Sequence, residues 1–196
     1  MALVALAVAA AAAPAAARAQ QDEPPNSLVL VAKPGLPDPR FRNTVVLVTQ
    51  TRDSQTVGVI LNRPTRLKLQ DLRPDAPPGY AEPLYFGGPV MDRVVLALFH
   101  SERPPAAAAF HVLKNVYLSM HPAVVDPLVA KPVPRLRLYA GFSGWAPRQL
   151  EAELVSESWF VVPASEDILF RKDTTGLWEE LSEQAARRKA ALYWPG

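Results

Sequence analysis

The chain has 196 residues and a formal net charge of +2, which fits a single domain without a strong charge bias. It contains no cysteine, so disulfides, thiolate zinc sites and cysteine nucleophiles are excluded. The one basic run, Arg187-Arg188-Lys189, is short. A near-neutral chain of this kind lacks the basic face of a nucleic-acid-binding protein, so we expect no specific nucleic-acid binding.

The N-terminal segment, residues 1–19, is predicted to be a secretory signal peptide. Ala2 to Ala13 is an unbroken apolar run, Pro14 ends it, and Ala17-Arg18-Ala19 has the small-x-small form of a cleavage site. The run is too short for a membrane span, which needs about 20 apolar residues, so no transmembrane segment is expected. No Lys or Arg precedes the run, which leaves a misassigned start codon and a cytosolic protein as the alternative.

The rest of the chain is predicted to form a short linker, residues 20–27, and one domain, residues 28–196. Eight apolar runs rich in β-branched residues have the length of strands: Leu28–Ala32, Thr44–Thr49, Val57–Leu61, Leu84–Phe86, Val94–Phe99, Val112–Leu118, Leu136–Phe142 and Trp159–Val162. The second and third runs are continuous rather than alternating, which predicts strands covered on both faces.

Helices are fewer than strands in this pattern. They are predicted near Leu67–Leu72, near Ala123–Val129, from Pro147 through Leu150 and Leu154, and from Thr174 or Thr175 through Leu177, Leu181 and Ala185. Strands and long helices do not alternate strictly, so a doubly wound sheet is not expected. The pattern predicts an α+β fold, a large mixed sheet with helices packed on it.

The nearest approach to a catalytic motif is Gly141-Phe142-Ser143-Gly144-Trp145. It departs from G-x-S-x-G at its fifth residue, where the strained turn of a nucleophile elbow needs a small side chain. A strand that ends in a glycine turn is the simpler interpretation. The spacings of the three histidines, His100, His111 and His121, match no metal site, so no metal and no cofactor is predicted.

Several segments, taken in order, resemble the YqgE/AlgH family of bacterial proteins, also called UPF0301 or DUF179. The segments are Leu36–Phe41, Gly58–Pro64, Phe86–Val90, Leu98–His100, Gly141–Trp145 with Gln149–Glu151, Ser158-Trp159, Ile168–Phe170 and Trp178. The resemblance implies a mixed, partly barrel-like β-sheet flanked by a few helices. It implies little chemistry, since the family is largely uncharacterised.

The chain departs from the family pattern in two regions. Thr51, Arg52 and Gln55 stand where the family has a His-Asn pair and a glycine, and Arg148 stands where it has a glycine before Gln-Leu-Glu. Family members typically look cytosolic, whereas this chain carries the predicted leader and is expected to be periplasmic or exported.

The family-like residues at element ends suggest a shared ligand- or partner-binding site. The candidates are Asn62, Arg63, Gly87, Gly88, Trp145 and Gln149. Arg and Gln would supply polar anchors, glycines would let backbone amides approach a ligand, and the indole would form an apolar wall. The competing interpretation is structural: glycine and proline turns with a core tryptophan.

The sequence therefore predicts a non-enzymatic binding or regulatory module for an unidentified protein or small-molecule partner. Two alternatives remain open. One is a small hydrolase or transferase that uses Ser143 with a distant histidine. The other is a transcription-linked regulator, as the label carried by the family suggests, although no helix-turn-helix pattern is present.

Cleavage of the leader can be tested directly. When the full chain is expressed in a bacterium, we expect the mature protein to begin at Gln20 and to appear in the periplasm, because cleavage would follow Ala19. N-terminal sequencing of the fractionated protein measures this. An intact Met1 terminus in the cytosolic fraction would show the leader prediction to be wrong.

Overall fold

Nine strands and five helices make up the part of the chain that the computed structural model describes, residues 26–50 and 56–193. The strands are β1 (Leu28–Ala32), β2 (Val45–Gln50), β3 (Thr56–Ile60), β4 (Tyr85–Phe86), β5 (Val90–His100), β6 (Phe110–Leu113), β7 (Val116–Ser119), β8 (Leu136–Trp145) and β9 (Trp159–Pro163). The helices are α1 (Leu69–Leu72), α2 (Pro122–Ala130), α3 (Gln149–Val155), α4 (Glu166–Leu169) and α5 (Leu177–Tyr193). The predicted leader and the positions Thr51, Arg52 and Gln55 lie outside the described residues.

All nine strands belong to one sheet, in the order β6-β7-β5-β8-β3-β2-β1-β9, with β4 beside β8. The pairing of β4 with β8 is parallel and the other pairings are antiparallel, so the sheet is mixed. Its two end strands, β6 and β9, do not pair with each other, and the sheet is open. Both nevertheless contribute to a single inner core, which Phe110 of β6 and Phe160 of β9 share. The predicted α+β class with a mixed, curled sheet and flanking helices is confirmed.

The central strands are buried on both faces, as their continuous apolar runs predicted. In β2, Val45 and Leu47 belong to the inner core, which α4 and α5 cover. Val46 and Val48 belong to a second core on the outer face, under α3 and the loop after β1. Successive side chains of a strand point to opposite faces, so a strand covered on both sides needs apolar residues at every position.

The predicted strand Val112–Leu118 is wrong, because the chain reverses within it. Strands β6 and β7 form a hairpin there, turning at Lys114 and Asn115. Asn115 has a positive φ of 63°, a left-handed conformation that Asn adopts more readily than most residues.

Helix α3 begins at Gln149 rather than at Pro147. Arg148, which precedes it, has φ 66° and ψ −3°, so it lies in the left-handed region and does not continue the helix. This is the position at which the family that the sequence resembles has glycine.

No helix within the described residues has the length and apolar character that a membrane span requires.

Replacing Arg148 with glycine should stabilise the fold. A side chain in the left-handed region costs roughly 1–2 kcal/mol, part of which the extra freedom of glycine in the unfolded chain cancels. We therefore expect Arg148→Gly to raise the free energy of unfolding by about 0.5–1 kcal/mol in a urea titration. Arg148→Ala is the matched control: it removes the guanidinium but keeps Cβ, and no comparable gain is expected. An equal gain in both variants would contradict the explanation by backbone strain.

Candidate functional site

A groove of about 320 Å³ lies on the outer face of the sheet, and we call it the outer groove. One wall is the loop after β1, residues 36–41. A second wall is Pro89 and Val90, at the start of β5. The third is formed by α3 with the adjoining ends of β8 and β9. Three chain segments that are distant in sequence therefore meet around it.

Glu153 organises this groove through its carboxylate. Its Oε2 accepts hydrogen bonds from two indole N–H groups, Trp145 Nε1 at 3.0 Å and Trp159 Nε1 at 2.9 Å. Its Oε1 accepts a third from the Gln149 side-chain amide, at 3.0 Å. Both tryptophans are buried, so the indole donors would be left without partners if the carboxylate were absent.

The loop wall packs an aromatic side chain against both tryptophans. The ring of Phe41 lies 5.9 Å from the ring of Trp145 and 5.9 Å from that of Trp159, with a nearly edge-on geometry to the latter. These separations fall in the range that favours aromatic pairs. The floor of the groove is thus a cluster of three aromatic side chains, Phe41, Trp145 and Trp159, with the Glu153 carboxylate at its edge.

The other charged groups of the groove neutralise each other. Asp38 accepts hydrogen bonds from the Arg40 guanidinium, at 2.7 Å for the shortest, and from the Arg40 backbone N–H. Hydrogen bonding to Arg40 holds the pKa of Asp38 below its ordinary value, so this carboxyl is ionised at neutral pH.

Two of the six predicted site residues line the outer groove. Trp145 forms part of its floor, and Gln149 lies at the start of α3, where its Oε1 accepts the Ala146 backbone N–H. The structure therefore brings these two candidates together.

Asn62 and Arg63 lie behind the loop wall rather than in the groove. Asn62 accepts the backbone N–H of Val45 and donates to the carbonyl of Asn43. Arg63 donates to the carbonyls of Arg40 and Arg42, the second at 3.0 Å. Burial lowers the pKa of Arg63 from its ordinary value. Both side chains therefore hold the loop that forms the groove wall.

Gly87 and Gly88 are held against β8, just before the second wall. The Gly87 carbonyl accepts the Ile60 backbone N–H and the Ser143 hydroxyl, so it joins β3 to β8. A Cβ on Gly87 would overlap the Gly141 carbonyl, and one on Gly88 would overlap the backbone of Phe142. Only glycine permits this approach, which sets the position of Pro89 and Val90.

Ser143 is fully buried in β8, and its hydroxyl donates to the Gly87 carbonyl at 3.1 Å. His100 lies at the other end of β8. Its backbone N–H donates to the backbone carbonyl of Arg135, the residue before Leu136. Seven residues of strand separate that end from Ser143, roughly 23 Å. His111 stacks on Tyr117, which pairs with Phe99 at that same end of the sheet, and His121 caps α2.

Three further groove residues were not among the predicted candidates: Phe41, Glu153 and Trp159. A signal for Glu153 was available: it lies four residues after Gln149 in the same helix, and such residues share a helix face. Nothing in the sequence indicated that the two tryptophans would meet. In the described part of the chain, His, Asp and Glu side chains form no cluster of three that could hold a metal.

Comparison with known proteins gives a consistent result. The family model AlgH-like (DUF179) matches residues 29–189. A UPF0301 protein of Myxococcus xanthus is 32% identical over 156 residues, covering 77% of this chain and 85% of its own. A UPF0301 protein of Thermobifida fusca is 34% identical over 164 residues, covering 78% and 83%.

Solved structures agree with these sequence matches. The solution structure of the AlgH protein from Pseudomonas aeruginosa superposes with a TM-score of 0.66 at 30% identity, covering 85% of this chain and 90% of that one. A crystal structure of a Corynebacterium diphtheriae protein, at 24% identity and a TM-score of 0.66, covers 82% and 87% and shares the fold.

Removing the Glu153 carboxylate should destabilise the protein. In Glu153→Ala two buried indole N–H groups lose their acceptor, and each unpaired buried donor costs about 1–3 kcal/mol. We expect the free energy of unfolding to fall by about 2–4 kcal/mol, measured by denaturant titration with tryptophan fluorescence. Glu151→Ala, an exposed acid of the same helix, is the control and should lose less than about 1 kcal/mol. Equal losses would show that the two indole hydrogen bonds contribute nothing.

Proposed function

The chain belongs to the AlgH-like (UPF0301) family, and we propose that it is a non-enzymatic binding module whose ligand lies in the outer groove. The observation that carries this proposal is the Glu153 carboxylate, which stands beside an aromatic floor with no cationic partner among the described residues. A concave surface that combines apolar side chains with a few fixed polar groups is the usual form of a small-molecule site.

Charge favours a cationic ligand. Asp38 and Arg40 cancel, so Glu153 gives the groove a charge of about −1. Its Oε2 already accepts two hydrogen bonds, while Oε1 accepts one and can accept another. A protonated amine with an apolar body fits this arrangement, since the ammonium reaches Oε1 and the body packs on Trp145 and Phe41.

The two alternative functions receive less support. For a hydrolase, the Ser143 hydroxyl is buried and bonded to a backbone carbonyl, and His100 lies at the far end of the strand. For a nucleic-acid-linked regulator, the outer groove is unsuitable, because its excess of negative charge would repel phosphates. The predicted leader adds the proposal that the module acts outside the cytosol.

Binding can be tested with simple probes. We expect hexylamine to quench or shift the tryptophan fluorescence with millimolar or tighter affinity, and hexanol and hexanoate to bind at least tenfold more weakly, because only the amine complements Glu153. The indole N–H signals of Trp145 and Trp159 in an NMR titration would locate the probe.

The matched variants are Glu153→Gln and Glu151→Gln. Glutamine keeps an oxygen acceptor for the indoles but removes the charge, so Glu153→Gln should abolish the preference for the amine over the alcohol. Glu151→Gln changes the net charge equally, outside the groove, and should keep that preference. Equal affinity of the wild-type protein for all three probes, or no binding of any, would overturn the proposal.

A further inference from the structure

The strand β9 forms one end of the sheet, and its outer edge is open. Within residues 26–50 and 56–193, only β1 pairs with it. The Lys33 backbone N–H donates to the Ser158 carbonyl. Because hydrogen-bonded pairs alternate along antiparallel strands, the backbone groups of residues 158, 160 and 162 are the ones that bond to β1. The N–H and C=O groups of Trp159 and Val161 therefore point outward, and Val161 is 47% exposed.

This edge lies in a groove of about 390 Å³, which we call the edge groove. Its opposite wall is a stripe of α5 with the spacing of one helix face: Leu181, Ala185 and Arg188. Phe160 and Val162 add apolar surface from β9. An extended chain placed here would thus meet unpaired backbone groups on one side and, on the other, a helix face that is apolar at Leu181 and Ala185 and basic at Arg188.

The rim of the edge groove is basic. Lys33, Arg188 and Lys189 line it, against a single acid, Glu157. Glu157 bridges the two lysines, with Lys33 at 3.1 Å and Lys189 at 2.5 Å. Arg188 makes no ion pair or side-chain hydrogen bond with any of the described residues. The residues that line the rim therefore include more basic than acidic side chains, and the guanidinium of Arg188 is available to a ligand.

We propose that the edge groove binds an extended peptide segment of a partner protein, with apolar residues at alternate positions and an acidic end. The segment adds to β9 as a further strand through the backbone of Trp159 and Val161. Alternate side chains enter the apolar space beside Leu181 and Ala185, and the acidic end pairs with Arg188. Pro163 has no N–H and ends the edge, so pairing is confined to a short span.

A peptide suits this groove better than an acyl anion. A fatty acid would satisfy the apolar wall and Arg188 but would leave the outward N–H of Val161 unused. A peptide strand supplies a donor and an acceptor at every second residue, which matches the spacing of Trp159 and Val161. The site is separate from the outer groove and does not require an amine ligand there.

The test uses the full chain and a defined peptide pool. The pool consists of fluorescein-labelled heptapeptides that alternate Val, Leu or Phe with Ser or Thr and end in Asp-Glu. We expect micromolar binding by fluorescence polarisation at about 0.15 M salt, at least tenfold weaker binding of a pool that ends in Lys-Lys, and a similar loss when the pairing amides are N-methylated. An NMR shift of the Val161 amide would locate the peptide.

The variants separate the proposal from non-specific attraction. Arg188→Glu should weaken binding of the acidic pool at least tenfold and favour the Lys-Lys pool. Arg187→Glu makes the same charge change one residue away, outside the groove lining, and should change affinity by less than about threefold. Circular dichroism would confirm that both variants are folded. Absence of binding below 1 mM, equal effects of the two variants, or N-methylated peptides and decanoate binding as tightly as the pool would each overturn the proposal.

Discussion

The outer face of the domain depends on one carboxylate that joins two distant strands. Trp145 ends β8 and Trp159 begins β9, and three strands lie between them in the sheet. Glu153 accepts both indole N–H groups with a single oxygen, which fixes α3 across the outer face of the sheet. These charge-assisted hydrogen bonds add to the packing of Leu150 and Leu154 on the outer core, and together they hold a helix of only seven residues. The outer groove exists because α3 is held there.

The wall of that groove formed by the loop after β1 is held by two side chains that the sequence suggested as ligand-binding residues, Asn62 and Arg63. Arg63 and Asn62 donate to backbone carbonyls of the loop after β1, and in this way they do for an irregular segment what ladder hydrogen bonds do for a strand. An arginine after a buried strand can serve a ligand or a loop, and its residue type does not distinguish the two. The structure shows the loop contacts, so the proposed ligand needs neither side chain as a direct partner.

The fold was predictable where burial alone determines residue type. The runs Val45–Val48 and Val59–Leu61 are apolar at every position because cores cover both of their faces, and that constraint is visible in the sequence. The hairpin inside Val112–Leu118 was missed because apolar residues flank the turn, leaving Asn115 as its only local signal. The site was predictable only in part. Glu153 follows the helix periodicity, but its partners come from strands whose meeting is a tertiary event, which no local pattern records.

Trp159 belongs to both proposed grooves and links them physically. Its indole contributes to the outer groove and bonds to Glu153, while its backbone N–H and C=O face the edge groove. A strand added at the edge would restrain the backbone of Trp159. A ligand beside Glu153 would restrain the indole of the same residue. If both ligands order Trp159, the second to bind meets a residue that is already ordered and loses less conformational entropy. Such coupling must be equal in both directions, because the total binding free energy does not depend on which ligand binds first. The alternation of a β-strand, with side chains on its faces and hydrogen-bonding groups at its edges, thus lets one residue serve two binding surfaces.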